Sequence, residues 1–353
     1  MFAIPSRNLF VTASEGDSRE DKFRAQVSIY HLSNEAAIYP TIISADREDG
    51  SPIPFSALSG LAAEKVFDDQ LLYTIEDSFY LRSRMLVIDT SVTPSLVISE
   101  TRLLDSNGLL AGAFPDLGFV NIDGTVNLDL EGIELAESGG FWVVSEGSGT
   151  IGDAASPFET PNILLKLDDA GIITQVIELP EAAASLQVRF GFEGVAEDGD
   201  FVVVAFQRAW TGEDHPRLGI YNSFNETWNF VFYQLDAPES QFGGWVGLSD
   251  LAALGGGSFL VLERDNQGGP DAAIKRVYRI ELSDFAFAEG TLISEKTLVR
   301  DLIPDLQASG GMVPEKIEGL AVTVRGDMWI NNDNDGVDDN SGEQLLINLG
   351  TIV

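Results

Sequence analysis

Five short segments of the chain carry an acidic or small polar residue at one shared place: LSGL (58–61), LEGI (130–133), FEGV (192–195), LSDL (248–251) and IEGL (317–320). The aligned residues Ser59, Glu131, Glu193, Ser249 and Glu318 are 72, 62, 56 and 69 residues apart. More acids follow at a near-constant distance. Glu146 lies 15 residues after Glu131, Asp333 lies 15 after Glu318, and Glu263 lies 14 after Ser249. Asp250, Asp265 and Asp335 sit one or two places beyond members of this set. Oxygen ligands without any cysteine, and with only His31 and His215, suit a hard cation such as calcium better than zinc or copper. The loop NNDNDGVDDNSGE (331–343) points the same way. It approaches EF-hand spacing at Asp333, Asp335 and Gly336, but opens on Asn331 and has Gly342 where a bidentate Glu belongs. The plainer readings are a solvated turn for this loop, and backbone capping or tight packing for any single Glu-Gly pair.

These residues need elements to bring them together. Each motif is followed by a Gly- or acid-rich turn and a second short run: LLYTIED, FWVVSEG, FVVVAFQ, FLVLERD and MWINNDND. The runs are short, β-branched and aromatic, which reads as strands. Turns such as AEDGD (196–200) and LGGGS (254–258) suit tight hairpins. Two further strands follow in most units, clearest in NILLKLDDAGIITQVIEL (162–179), with RLGIYNS (217–223) and KRVYRIEL (275–282) in the same place later. Four strands per unit of about 60 residues is the pattern of propeller blades. The N-terminal stretch reads as the later strands of a sixth unit, with Glu15 ending its second strand. The expectation is a single all-β, six-bladed β-propeller over residues 1–353, closed between the chain ends. A pair of β-sandwiches, or a seventh blade near residues 80–130, are the alternatives.

In a blade the innermost strand runs along the channel and the second returns beside it, so the start of one and the end of the next share a face. Glu131, Glu146, Glu193, Asp250, Glu263, Asp265, Glu318, Asp333 and Asp335 are therefore expected as metal ligands at one mouth, with Glu193 and Glu318 at the reacting centre. Glu76 and Asp77 end the second strand of an earlier unit. Two carboxylates about 4 Å apart repel by roughly 4 kcal/mol at an effective dielectric near 20. Such a ring must take up protons, spread apart or bind cations.

The composition excludes several classes. With 21 basic residues against 56 acidic ones, a net charge of -35 argues against nucleic acid, whose phosphates need Lys and Arg. No run of about 18 apolar residues is present to insert in a membrane, and 44% hydrophobic content is enough for a large core. The N-terminus reads as a mature or trimmed start, compatible with a secreted, periplasmic or cell-surface protein. No G-x-S-x-G elbow exists and His215 reads as a loop residue, so a Ser-His-Asp site has little to draw on. No phosphate-binding or dinucleotide fingerprint links a strand to a helix. Four cations stand beside the expected mouth: Arg189, Arg208, Arg264 and Lys316. They could orient an anionic substrate or pair with the acids.

Taken together, FGFEGVAEDGD, LSDLAALGGGSFLVLERDNQ, KRVYRIEL and KIEGLAV…NDNDG resemble the phytase-like esterase domain family, relatives of the β-propeller phytases, over most of residues 55–349. The resemblance implies a six-bladed propeller, calcium at an acidic channel mouth, and phosphoester hydrolysis in which calcium binds the phosphate and supplies the attacking water. By motif, Glu131, Glu193, Glu318 and the aspartates after VLER and in NNDND carry over as candidate ligands. The chain departs from the pattern in its few basic residues and in Ser59 and Ser249, which replace Glu. The leading expectation is a calcium-dependent hydrolase of a small-molecule phosphoester, with no side-chain nucleophile. A calcium-stabilised binding module without catalysis, or a lactonase-like hydrolase, are the competing readings.

Overall fold

Val143 and Val144 are both fully buried, yet they face opposite ways, because successive strand residues point to opposite faces. Val143 belongs to an apolar cluster with Ile75 and Met85 on one side, and Val144 to one with Val195 and Val202 on the other. Sheets covered on both faces explain why the second strands read as continuous apolar runs. The computed structural model describes residues 1–13, 27–34, 40–67, 70–285, 287–308, 311–337 and 344–352.

Five sheets radiate from a common axis. The innermost strand comes first in each of the following orders. The first sheet runs Leu58–Ala63, Leu71–Glu76, Arg84–Asp89, Ser95–Arg102 and Ile42–Ser44. The second runs Leu130–Leu135, Phe141–Ser145, Ile163–Leu167 and Ile173–Glu178. The third runs Phe192–Asp198, Phe201–Phe206, Arg217–Asn222, Thr227–Tyr233 and Leu292–Ile293. The fourth has Val246–Gly255, Ser258–Asp265, Lys275–Glu281 and Thr297–Asp301, and the fifth Ile317–Val322, Asp327–Asn332 and Leu346–Thr351. Helices are few and short, and none among the described residues is long and apolar enough to cross a membrane.

The five inner strands neighbour one another in cyclic order, the fifth returning to the first. Five apolar clusters fill the five seams between adjacent sheets. Each fully buried Leu, Val or Phe there contributes about 1.5–3 kcal/mol relative to exposure. Across the closing seam, Asn334 Oδ1 accepts from the Ala57 amide at 2.7 Å, and Gln344 Oε1 from the Leu58 amide at 3.4 Å.

The described residues supply five sheets to this ring, against the six expected. A sixth, N-terminal sheet exists (Phe2–Ile4, Leu9–Ala13 and Val27–His31), but it contains no buried position and its strands lie outside the circuit of inner strands. The apolar residues of this stretch favour strands, as expected. Among the described residues it presents no acid- or Ser-Gly inner strand at the axis. Glu15 lies outside the described residues.

Candidate metal centre at one mouth of the ring

Every inner strand carries a β-bulge at the motif position. In the second sheet Leu130 pairs with Ser145 and Gly132 with Val144, leaving Glu131 as the extra residue. Glu318 is likewise left over between Ile317 and Gly319, and Ser249 between Leu248 and Asp250. The first and third sheets break register over Ser59–Gly60 and Glu193–Gly194. A bulge re-aims the extra residue. Its neighbour must then lie close to the next strand: a Cβ added to Gly132 would stand 2.4 Å from the Glu193 carbonyl oxygen.

Two groups of carboxylates, Asp129/Glu131/Glu146 and Asp77/Asp333/Asp335, each offer ligand oxygens within 4.8 Å of one another. Burial, then the Glu193, Asp129, Glu318 and Glu146 charges, push Glu131 well above the usual carboxylate range. Burial and Asp129 bring Glu146 to about 8, and burial with Asp333 does the same for Asp77. Burial and the Glu146 and Glu318 charges also raise Glu193 strongly. Burial opposes the charge of Lys316, but Asp333, Glu318, Asp335 and Glu131 outweigh it and hold that ammonium well above its ordinary value.

The mouth also has its own organisers. Gln207 Nε2 donates to Glu193 at 2.6 Å, and the Gly191 amide donates to Glu146 at 2.7 Å. Arg264 ion-pairs with Glu318 and donates to Ser249 Oγ at 2.8 Å. Lys316 donates to Asp333 at 3.1 Å and also pairs with Asp335. The second Glu318 oxygen is buried without a donor, and the Glu318 and Asp333 carboxylates lie against each other. Two carboxylates in that contact need a proton or a cation between them. The donor set is all oxygen, which fits calcium.

Of the expected ligands, Glu131, Glu146, Glu193, Glu318, Asp333 and Asp335 meet at this mouth. Three do not. Asp250 takes the glycine place beside its bulge and accepts from the Leu251 and Leu320 amides at 2.8 and 2.7 Å. Glu263 accepts from the Tyr233 hydroxyl at 3.0 Å and from Lys296 at 2.6 Å, between the third and fourth sheets. Asp265 pairs with buried Lys275 at 2.7 Å and caps the Ala273 and Ile274 amides. Spacing placed these backbones correctly, but local donors turned the carboxylates away. Glu76 is likewise taken by Arg84.

Asp129 was absent from the expected set. Its signal is NLDLEGI, where Asp129 precedes Glu131 by the two-residue period of a strand face. Asp77 is legible in the sequence as a strand end, not as a ligand. Part of the 331–343 loop, including Gly342, lies outside the described residues.

Arg189 and Arg208 differ from the other cations. Among the described residues neither is paired with a carboxylate; both stack on Phe190 at 4.7 and 4.6 Å, and Arg208 also lies 4.9 Å from the Trp245 ring. Burial and the Arg189 charge lower the Arg208 pKa.

Residues 53–336 match the phytase-like family, described as having the esterase-like activity of phytase, and the chain belongs to that family. No curated protein sequence matches it. Among solved structures it is similar to a luciferin-regenerating enzyme (10% identity, TM-score 0.39, 97% of this chain and 86% of that one). It is also similar to the Mala s 1 allergen of Malassezia sympodialis (10%, 0.42, covering 81% and 91%). A third is the glycoside hydrolase family 43 protein BlXynB of Bacillus licheniformis (11%, 0.43, covering 83% of this chain but 52% of that one). Likenesses this distant carry no weight for activity.

Proposed function

We propose that the five-sheet ring is a propeller whose acidic mouth holds calcium and hydrolyses a small-molecule phosphoric ester. The observation that carries this reading is the pair of carboxylate groups, each with oxygens within 4.8 Å, at the mouth that also holds Glu193 and Glu318. Asp129, Glu131 and Glu146 would hold one ion, and Asp77, Asp333 and Asp335 another. Calcium bound there would neutralise phosphate charge and lower the pKa of a bound water.

The chain's own residues supply the rest. Arg189 and Arg208, free of acids among the described residues, would hold the anionic oxygens of the substrate. Gln207 and Arg264 fix Glu193 and Glu318 in place, and Lys316 steadies the aspartates of the fifth sheet. No side-chain nucleophile is required. Calcium ligands and a charge of -35 suit a secreted, periplasmic or cell-surface setting.

The test is kcat/KM on a phosphomonoester and a phosphodiester, with calcium and with EGTA, for the wild type, Glu193→Ala and Glu318→Ala. Activity should need calcium and fall in both variants far more than their melting temperatures do. Wild-type turnover equal to buffer on both substrates would leave a calcium-stabilised binding module instead.

A further inference from the structure

Beside the acidic mouth, the two arginines of the hydrolytic reading are flanked by exposed apolar side chains that it does not use. The loop between the second and third strands of the second sheet exposes Ile151 and Phe158, at 42% and 44%, and the loop entering the fourth sheet exposes Phe242 at 71%. Both loops rise on the face where the inner strands begin, which is the face of the carboxylate groups. They join through the two acid-free arginines. The Ile151 amide donates to the Gln187 carbonyl at 3.0 Å, and the Arg189 amide to Thr150 Oγ1 at 3.2 Å. Phe190 then packs edge-on against Trp245, three residues beyond Phe242.

Single exposed apolar side chains are ordinary. Here three of them flank two guanidiniums that, among the described residues, no carboxylate neutralises, in a chain of net charge -35. Guanidiniums beside aromatic and aliphatic tips match the boundary of a bilayer, where phosphates lie just above acyl chains. We infer that this patch docks the protein on a phospholipid surface, with headgroup phosphates on Arg189 and Arg208 and Ile151, Phe158 and Phe242 in the acyl boundary. The substrate class that follows, a lipid phosphoester delivered at the mouth, rests on the hydrolytic reading; the docking does not.

The experiment is flotation with phosphatidylcholine vesicles containing phosphatidic acid, in calcium and in EGTA, with glycerol phosphate as a soluble competitor. The wild type should float in calcium, where an occupied mouth no longer repels the surface. Phe242→Ser and Ile151→Ser should each weaken vesicle binding about tenfold or more while leaving glycerol phosphate binding unchanged. The double variant Arg189→Ala, Arg208→Ala should lose both. Melting curves establish that each variant is folded; Ile151, Phe242 and Arg189 are exposed, and Arg208 is half-buried.

A wild type that binds glycerol phosphate but does not float overturns the docking and leaves the hydrolytic reading standing. Unaltered flotation of Phe242→Ser also overturns it. So does light scattering that shows a dimer abolished by Phe242→Ser, since a second copy would then cover the patch. Because flotation reads binding and not turnover, a protein without phosphoesterase activity still decides the question.

Discussion

Arg264, in the second strand of the fourth sheet, and Glu318, in the inner strand of the fifth, form an ion pair with side chains only 2% and 4% exposed. Ser249, at the bulge of the fourth sheet, takes another proton of the same guanidinium. The pair thus ties one seam of the ring to the candidate metal centre.

Removing the cation strands a buried carboxylate. In EGTA, Arg264→Ala should cost about 3–5 kcal/mol in a urea unfolding curve. In saturating calcium the loss should shrink, because an ion at the mouth supplies the missing positive charge. Equal losses in both conditions would show that Glu318 does not feel a bound metal.

The acids set a pH dependence of definite sign. Burial carries Asp77 and Glu146 to about 8, and Glu134 at the opposite end of the ring to about 7, against roughly 4 in an unfolded chain. Between those values the folded protein holds more protons than the unfolded one, so metal-free stability should fall as pH rises from about 5 to about 8. Calcium needs the ionised carboxylates, so the gain in Tm from calcium should grow over the same interval. Melting curves in EGTA and in calcium across that range test both statements; a flat EGTA series sinks the first.

Asp250 makes the opposite kind of prediction. Its carboxylate accepts from Leu251 and reaches across to Leu320, so Asp250→Ala should cost about 1–3 kcal/mol for each amide left without an acceptor. Calcium stoichiometry by titration calorimetry should not change. Lost stoichiometry with unchanged stability would restore Asp250 as a ligand.

How far the sequence reached is clearest from these same residues. The repeat of Glu131, Glu193 and Glu318 and the distance of 15 residues to Glu146 and Asp333 located two strand ends on one face, because a hairpin of fixed length returns to its start. The side-chain direction was not legible. Glu263 and Asp265 occupy the expected strand end, but Lys296 and Lys275 come from later segments whose approach no local pattern announces. The place of the N-terminal sheet is hidden for a related reason. Alternating apolar residues in 1–31 reveal strands, whereas membership of the ring depends on an inner strand able to touch two neighbours at the axis.

Around that axis the inner strands crowd one another. A Cβ at Gly60 would meet the Gly132 backbone at 2.7 Å, one at Gly132 the Glu193 carbonyl at 2.4 Å, and one at Gly194 the Asp250 backbone at 2.6 Å. Farther along, the void between Leu61, Ala62, Ala252 and Leu320 measures about 10 Å³, room for one water at most. A cavity of about 570 Å³ lies at the far end, between Lys65, Glu197, Arg279 and Val322. A reaction at that mouth would work in a blind alley with one door. The leaving phosphate and the incoming ester would have to pass through the same opening, so inorganic phosphate should inhibit competitively, and each turnover must wait until the doorway clears.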